Sequence, residues 1–189
     1  ELLRRGESIE RLHKATMITE LFLECIARIV DMEKKLAAAP NDLALLREAK
    51  IMGFSDKYIA LLWNLPEIDV YKLRRESGII PAFRMVDTLH TGSYIAYLYS
   101  SYTGENQSRL TDKKKIVVLG AGPIRIGQGV EFDYSTVHAV QTIRRAGYEA
   151  IIINNNPETV STDYTTSDKL YFEPLTPEDV MAIIDYEQP

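Results

Sequence analysis

The sequence predicts a two-part α+β chain, an all-α helical domain followed by an α/β domain with parallel strands. Two observations predict this class. Up to about Ser77, apolar residues recur at three- and four-residue spacing, which is typical of amphipathic helices. After three lysines at 113–115, short apolar runs alternate with helical segments, which is typical of β-α-β units. We therefore expect a helical domain over 1–112 and an α/β domain over 113–189.

The first part is expected to form a series of short helices. Thr19 and Ser55 are suited to cap two of them, Pro66 suits the first turn of another, and Gly78 suits its end. The long helix carries an apolar stripe of Ile18, Leu21, Phe22, Cys25, Ile26, Ile29 and Leu36. Because a small domain has little interior in which to bury so wide a stripe, we expect this domain to self-associate.

Between Pro81 and Tyr102 the pattern favours two extended segments, 83–87 and 94–99, joined by a turn at 91–93. The polar stretch 104–112 then reads as a linker. We group these segments with the helical domain.

The second part begins with a continuous apolar run at 116–119, which predicts a strand buried on both faces. A helix over about 135–146, strands at 149–154 and 169–172, and a helix starting at Thr176 follow. A series of this kind should continue into a further strand, and the chain lacks an initiator Met. We expect a piece of a longer protein, with this domain truncated.

Composition excludes several classes of protein. Hydrophobic residues make up 46% and charged residues 26%, which is unlike a disordered, fibrous or disulfide-stapled chain. No apolar run approaches the length of a membrane span, and a net charge of −5 argues against a uniformly basic nucleic-acid binder. The single cysteine, Cys25, is expected to be a core thiol in a reducing cytosol. The three histidines His13, His90 and His138 do not have the spacing of a metal site.

A glycine-rich loop at 120–129 lies where a phosphate-binding loop would lie, but it fits neither common pattern. A dinucleotide fingerprint starting at Gly120 would need glycine where Arg125 stands, and Asn154 replaces the acidic residue that binds a ribose. Gly122 and Gly127 have the P-loop spacing, yet the lysine and hydroxyl that should follow are missing. The loop alone leaves open a phosphate site or a tight turn that needs small residues.

Longer stretches carry a resemblance. Residues 120–134 read GAGPIRIGQGVEFDY and 154–163 read NNNPETVSTD, and the similarity continues through 164–174. Together they closely resemble the large subunits of carbamoyl phosphate synthetases, which have two homologous ATP-grasp halves joined by a helical oligomerisation domain. The resemblance implies that 113–189 is a Rossmann-like pre-ATP-grasp domain at the start of the second half, and that the helices before it form the oligomerisation domain. Ile124 departs from this pattern, because the second half often has asparagine there, but the helical domain upstream favours the second half.

The resemblance also implies a function. Members of this family are ATP-dependent ligases that make carbamoyl phosphate from bicarbonate, glutamine-derived ammonia and two ATP, for arginine and pyrimidine biosynthesis. We expect ATP and Mg or Mn to be bound by other domains of the parent, and none by these residues, which alone should be inactive. The implied partners are a glutaminase small subunit, the rest of the large subunit and further copies of the chain, in the cytoplasm, with no nucleic acid or membrane.

Four residues match positions that line the internal tunnel for carbamate in this family: Arg125, Gly129, Glu131 and Glu158. Arg125 could hold an anionic intermediate, and Gly129 would keep the passage open. Glu131 and Glu158 could orient water or arginine, or keep carbamic acid neutral. The alternative is that Arg125, Glu131 and Glu158 form a salt-bridge network that braces the loop.

Two functions of other classes remain as alternatives. Residues 53–75 resemble a helix-turn-helix with 69–75 as the DNA-reading helix, but six basic and five acidic residues between 47 and 76 leave a net charge of only +1. A free-standing nucleotide-binding module is the other alternative, and the missing ribose and phosphate residues argue against it.

Overall fold

The computed structural model describes residues 1–87 and 92–189 and divides into two compact units, 1–79 and 80–189. His90 and the first residue of the predicted turn at 91–93 lie outside the described residues. No helix in the described ranges is both long enough and apolar enough to cross a membrane.

The first unit is all-helical, as predicted. Its helices are α1 (Ile9–Thr16), α2 (Glu20–Ala38), α3 (Leu43–Ile51), α4 (Asp56–Trp63) and α5 (Glu67–Glu76). Side chains of Ser8, Asp42 and Ser55 cap α1, α3 and α4 by accepting hydrogen bonds from backbone N–H groups of the first turn. Thr19 precedes α2 without such a bond, and Pro66 occupies the cap position of α5 rather than its first turn.

A buried carboxylate ties three segments of this unit together. Asp56, at the start of α4, lies 2.9 Å from Nζ of Lys50 and 2.6 Å from Nε of Arg74, and all three side chains are almost fully buried. Lys50 also donates to the carbonyl of Phe54, and Arg74 to that of Ile79. Asp56 is thus the carboxylate partner of two buried cations at once, so replacing it would strongly destabilise this unit.

The second unit is built on one five-stranded sheet. Its strands are β1 (Ala82–Met85), β2 (Tyr97–Ser101), β3 (Lys115–Leu119), β4 (Glu149–Ile153) and β5 (Lys169–Tyr171), in the order β1-β2-β5-β4-β3. Among the described strands, the β1–β2 pair is antiparallel and the other pairs are parallel. Helix α6 (Tyr134–Arg145) connects β3 to β4, and α7 (Pro177–Glu187) follows β5.

The sheet has an apolar cluster on each face. Successive residues of β4 belong alternately to one cluster and to the other, because neighbouring side chains of a strand point to opposite faces. Ala150 and Ile152 pack with Val140 of α6, whereas Ile151 and Ile153 pack in the other cluster with Ile183 of α7. Helices on both faces of a largely parallel sheet give the Rossmann-like arrangement that the sequence predicts.

The structure departs from the sequence predictions in two places. The extended segments that we grouped with the helical domain form β1 and β2 of the sheet, so the compact division falls after Ile79 and not after residue 112. The strand predicted to be buried on both faces is the edge strand β3, where Ile116 is 38% and Leu119 is 53% exposed. The apolar run of β3 predicts a parallel strand, but it does not show whether that strand lies at the edge or in the middle of the sheet.

Candidate functional site

The loops that follow β3 and β4 meet at the carboxyl edge of the sheet. Since β3 and β4 are adjacent and parallel, residues 120–133 and 154–168 both emerge at that edge. Each contains a short 3-10 turn, Val130–Asp133 in the first loop and Val160–Thr162 in the second. Thr159 Oγ1 donates a 2.7 Å hydrogen bond to Asp133 Oδ2, which joins the two loops directly.

Asn154 fills the space beneath the glycine-rich loop. Its side chain is fully buried, with Oδ1 accepting from the backbone N–H of Gly122 at 3.1 Å and Nδ2 donating to Ser161 Oγ at 3.1 Å. A Cβ atom at Gly120 would overlap the Asn154 carboxamide, so only glycine permits this approach. A backbone N–H that would bind a phosphate in a nucleotide-binding loop is therefore already used by a side chain.

The loop glycines serve different purposes. Gly122 has φ +74° and Gly127 has φ +89°, values that non-glycine residues rarely adopt. Gly129 has φ −91°, which any residue can adopt. A Cβ at Gly129 would instead collide with the carboxylate of Glu131. The carboxylate of Glu131 thus occupies the space beside Gly129, and the backbone at Gly129 is not strained.

All four predicted site residues lie at this edge and are exposed. Arg125, Gly129 and Glu131 belong to the first loop, and Glu158 belongs to the second. The backbone N–H of Arg125 donates to Gln128 Oε1, and that of Glu158 donates to Asn156 Oδ1. The fold brings these residues to one edge, and it holds the glutamate carboxylate of position 131 directly against Gly129.

The predicted alternative of a bracing salt-bridge network is not what the structure contains. Within residues 1–87 and 92–189, no ion pair joins Arg125 to Glu131 or Glu158. The loops are braced instead by the neutral Asn154 contacts and by the bond between Thr159 and Asp133. No ion pair between Arg125 and these two glutamates therefore holds the loops together.

Sequence reasoning assigned no role to Asp133 and Asn156, which are 1% and 4% exposed at the centre of the site. Asp133 Oδ1, Asn155 Oδ1 and Asn156 Nδ2 are buried and make no hydrogen bond to the residues that the structure describes. Buried polar atoms nearly always have a partner, so the interior of these loops is suited to water or a polar solute. The only sequence signal was their presence in the EFDY and NNNPET stretches.

Another acidic group lies just beyond β5. Glu173 is 6% exposed and accepts a hydrogen bond from the backbone N–H of Ser100. Burial raises the pKa of Glu173, and the bonds from Ser100 partly offset that rise. This carboxyl group thus extends the polar character of the edge to β5.

Nothing in the described part of the chain provides a metal centre. No group of three or more His, Cys, Asp or Glu side chains there could hold a metal ion. His138 packs edge-on against Tyr134, with ring centroids 4.4 Å apart.

The helical unit contains the two successive helices of the predicted helix-turn-helix, but not the basic surface that such a motif uses to bind DNA. Arg74, in the last turn of the predicted reading helix, is 1% exposed and paired with Asp56, and Lys50 is buried with it. Apart from these two buried cations, the segment has four exposed basic residues, Arg47, Lys57, Lys72 and Arg75. Their charge is balanced by the exposed Glu48, Asp69 and Glu76 together with the half-buried Glu67. Such a surface lacks the positive patch that binding to the DNA backbone requires.

The stripe predicted for the long helix divides into two halves. Leu36 is fully buried in the core, whereas the residues before Val30 remain uncovered. We call these residues the α2 face: Ile18, Leu21, Phe22, Cys25, Ile26 and Ile29. Phe22 is 62% and Leu21 is 60% exposed. Cys25 was expected in the core but lies partly exposed on this face, where Arg28 donates to its sulfur at 3.0 Å.

Comparison with known families gives two matches that together span most of the chain. Residues 1–78 match the oligomerisation domain of the carbamoyl-phosphate synthetase large chain. Residues 112–189 match the preATP-grasp domain of carbamoyl phosphate synthase.

The chain belongs to the carbamoyl phosphate synthase large-chain family. The two matches occur in the order that the sequence resemblance implied, with the helical domain first. Both lie in a family of ligases. Residues 79–111, which contribute β1 and β2 to the sheet, fall between the two matched ranges.

Proposed function

We propose that the chain is part of the large subunit of a glutamine-dependent carbamoyl phosphate synthetase, serving arginine and pyrimidine biosynthesis. The parent makes carbamoyl phosphate from bicarbonate, glutamine-derived ammonia and two ATP. In this proposal the loops at the carboxyl edge border the passage for carbamate, and the helical unit mediates self-association. The observation that best supports the passage is the convergence of Arg125, Gly129, Glu131 and Glu158 at one sheet edge.

The residues of this edge suit an anion that must stay out of bulk water. Carbamate decomposes in water, so its route between two active sites has to be enclosed. Arg125 is exposed and has no carboxylate partner among the described residues, so its guanidinium can donate charge-assisted hydrogen bonds to a passing carbamate. Gly129 adds no side chain to the passage. The buried unpaired atoms of Asp133 and Asn156 offer further polar contacts.

The glutamates of the site need a different role, because two carboxylates would repel carbamate. Glu131 lies against Gly129, and Glu158 is exposed on the facing loop. Each can accept a hydrogen bond from a protonated solute or from Arg125. In this proposal they orient Arg125 and water, or favour neutral carbamic acid, while Arg125 supplies the attraction for the anionic form.

The described residues of this chain do not suit the binding of ATP and its metal ion. Asn154 uses the N–H of Gly122 and fills the floor of the glycine loop, and Gln128 stands where a phosphate-binding lysine would be needed. We propose that ATP and Mg or Mn bind to other domains of the parent, and that a glutaminase small subunit supplies ammonia. The chain alone should not hydrolyse ATP.

The substitution Arg125→Gln in the complete synthetase tests the passage. Loss of a charge-assisted contact should lower glutamine-dependent carbamoyl phosphate synthesis about tenfold or more. Bicarbonate-dependent ATP hydrolysis should remain near its unsubstituted rate, because the first ATP site is untouched.

The matched control is Arg145→Gln, an exposed arginine at the opposite end of α6. We expect it to change neither rate. Equal losses for both substitutions, or an unchanged overall rate for Arg125→Gln, would contradict the passage.

Self-association is supported by the α2 face. Exposed apolar residues that are contiguous along a helix are typical of protein interfaces, and the unit matches an oligomerisation domain. We propose that copies of the chain associate through this face. Sedimentation of the 189-residue chain over a range of concentrations measures it directly.

A further inference from the structure

Asp133 stands at the N-cap of α6 but does not cap the helix. Asp is favoured at this position because its carboxylate usually accepts hydrogen bonds from backbone N–H groups of the first turn. The carboxylate of Asp133 makes no such bond. Its Oδ2 instead accepts the 2.7 Å hydrogen bond from Thr159 Oγ1 in the other loop. A side chain that could stabilise its own helix is therefore used to join the two loops.

This bond between Thr159 and Asp133, the inter-loop bond, is shielded from solvent. Thr159 is 6% and Asp133 is 1% exposed. A hydrogen bond to a carboxylate is stronger than one between neutral groups, and burial protects it from competing water. The other carboxylate oxygen, Asp133 Oδ1, makes no hydrogen bond to the residues that the structure describes. Removing the Thr159 hydroxyl would therefore leave this buried side chain without the contact that holds it.

The two residues of the inter-loop bond are close in sequence to the predicted site residues. Thr159 follows Glu158 and has an extended backbone, with φ −142° and ψ 155°, in which neighbouring side chains point to opposite sides. Thr159 points into the interior, and Glu158 is exposed at the edge. Asp133 ends the 3-10 turn that contains Glu131, whose carboxylate lies against Gly129. The bond thus joins the segment that carries Glu158 to the segment that carries Glu131 and Gly129.

We infer that Asp133 and Thr159 are positioning residues, whose bond keeps the two loops closed along the proposed passage and limits the escape of carbamate into water. This inference rests on the proposed passage and adds the contact that holds its two sides together. Neither residue has to touch carbamate, because each acts through the loop that carries it. Without the bond the loops can separate and admit water, so carbamate decomposes before it reaches the second site. The ATP used to make that carbamate is then wasted.

The substitution Thr159→Val in the complete synthetase tests this role, because it removes the hydroxyl and keeps the branched shape of the side chain. We expect the ATP consumed per carbamoyl phosphate made from glutamine to rise at least about threefold, as carbamate escapes. Bicarbonate-dependent ATP hydrolysis, and ATP synthesis from ADP and carbamoyl phosphate, should each stay within about twofold of the unsubstituted rate. Thr159→Ser keeps the hydroxyl and should keep the unsubstituted ratio.

Thr162→Val is the matched control. Thr162 is also 6% exposed and belongs to the same loop, but its hydroxyl donates within that loop, to the carbonyls of Asn156 and Thr159. We expect this substitution to leave the ratio of ATP to carbamoyl phosphate near its unsubstituted value. An equal rise for Thr162→Val would mean that any loosening of this loop has the same effect, and would overturn the inference.

Three further results would overturn the inference: an unchanged ratio in Thr159→Val, a raised ratio that persists in Thr159→Ser, or a joint fall of all three rates in Thr159→Val. The joint fall would make the inter-loop bond a part of the domain's general stability. The Arg125→Gln experiment separates this inference from the proposed function. If Arg125→Gln lowers overall synthesis while Thr159→Val leaves the ratio unchanged, the passage stands and only the inference fails. If neither substitution has an effect, both fail.

Discussion

At the scale of single residues, the glycines of the loop after β3 differ in what surrounds them. Gly120 lies against the buried, doubly hydrogen-bonded carboxamide of Asn154. Gly129 lies against the carboxylate of Glu131, whose side chain is exposed and can turn away. Neither has a positive φ. The cost of adding a methyl group therefore depends on whether the neighbour can move.

We expect Gly120→Ala to lower the free energy of unfolding by about 2–4 kcal/mol, because the added methyl overpacks the site and breaks hydrogen bonds of Asn154. Gly129→Ala should change it by less than about 0.5 kcal/mol. Urea unfolding of the 189-residue chain, followed by circular dichroism, compares the two. Similar losses for both substitutions would show that the Glu131 side chain is as fixed as Asn154.

The sequence identified these residues only in part. It placed Arg125, Gly129, Glu131 and Glu158 together through a family resemblance, and it excluded common nucleotide motifs from Arg125, Gln128 and Asn154. It did not reveal that Asn154 occupies the floor of the loop, because that contact joins residues 32 positions apart. It also did not reveal that the Glu131 side chain lies against Gly129. A glycine-rich sequence does not show which neighbouring atoms occupy the space that a larger side chain would fill.

At the scale of elements, helix α2 shows what periodicity can and cannot predict. The recurrence of apolar residues correctly predicts a helix with one apolar side. Leu36 and Phe22 belong to the same stripe, yet one is fully buried and the other is 62% exposed. Two hydrogen bonds join α4 to the C-terminal half of α2, from Trp63 to the carbonyl of Leu36 and from Tyr58 to Glu33. Periodicity gives the direction of a side chain around the helix, but not the extent of the neighbour that covers it.

The substitution Phe22→Asp should weaken self-association about tenfold or more, because it places a charge in the middle of the α2 face. Leu61→Asp is the matched control, since Leu61 is 72% exposed on α4 outside that face. Sedimentation equilibrium compares their dissociation constants, and circular dichroism checks that both variants fold. Equal weakening by the two substitutions would argue that association does not involve the α2 face.

The sheet shows the same limit for strands. Strand positions after residue 113 were predicted closely, because buried parallel strands give short apolar runs between glycine and polar breaks. The edge position of β3 was not predicted, nor was the pairing of β2 with β5. Both depend on strand order, which arises from contacts between residues far apart in sequence. The exposure of Leu119 therefore could not be inferred from its own segment.

At the scale of the whole molecule, the two units suit two different tasks. The unit of residues 1–79 has a bare apolar helix face, and the unit of residues 80–189 has a polar edge formed by two loops. Their matches to the oligomerisation and preATP-grasp domains follow the same division. In the described residues, no group of three or more His, Cys, Asp or Glu side chains could hold a metal ion, and Asn154 accepts a hydrogen bond from the glycine loop. We therefore propose that this chain serves assembly and the transit of an intermediate, and that other domains of the parent carry out the chemistry.

The most direct test of this assignment is the coupling between partial and overall reactions in the complete synthetase carrying Gly129→Phe. A benzyl group at this position should obstruct the passage, and φ −91° at Gly129 removes backbone strain as a competing cause. We expect bicarbonate-dependent ATP hydrolysis and ATP synthesis from ADP and carbamoyl phosphate to stay within about twofold of the unsubstituted enzyme, while glutamine-dependent carbamoyl phosphate synthesis falls at least about tenfold. Gly129→Ala should leave all three rates nearly unchanged. If the three rates fall together in Gly129→Phe, or if Gly129→Ala impairs overall synthesis as much, then Gly129 does not border a carbamate passage.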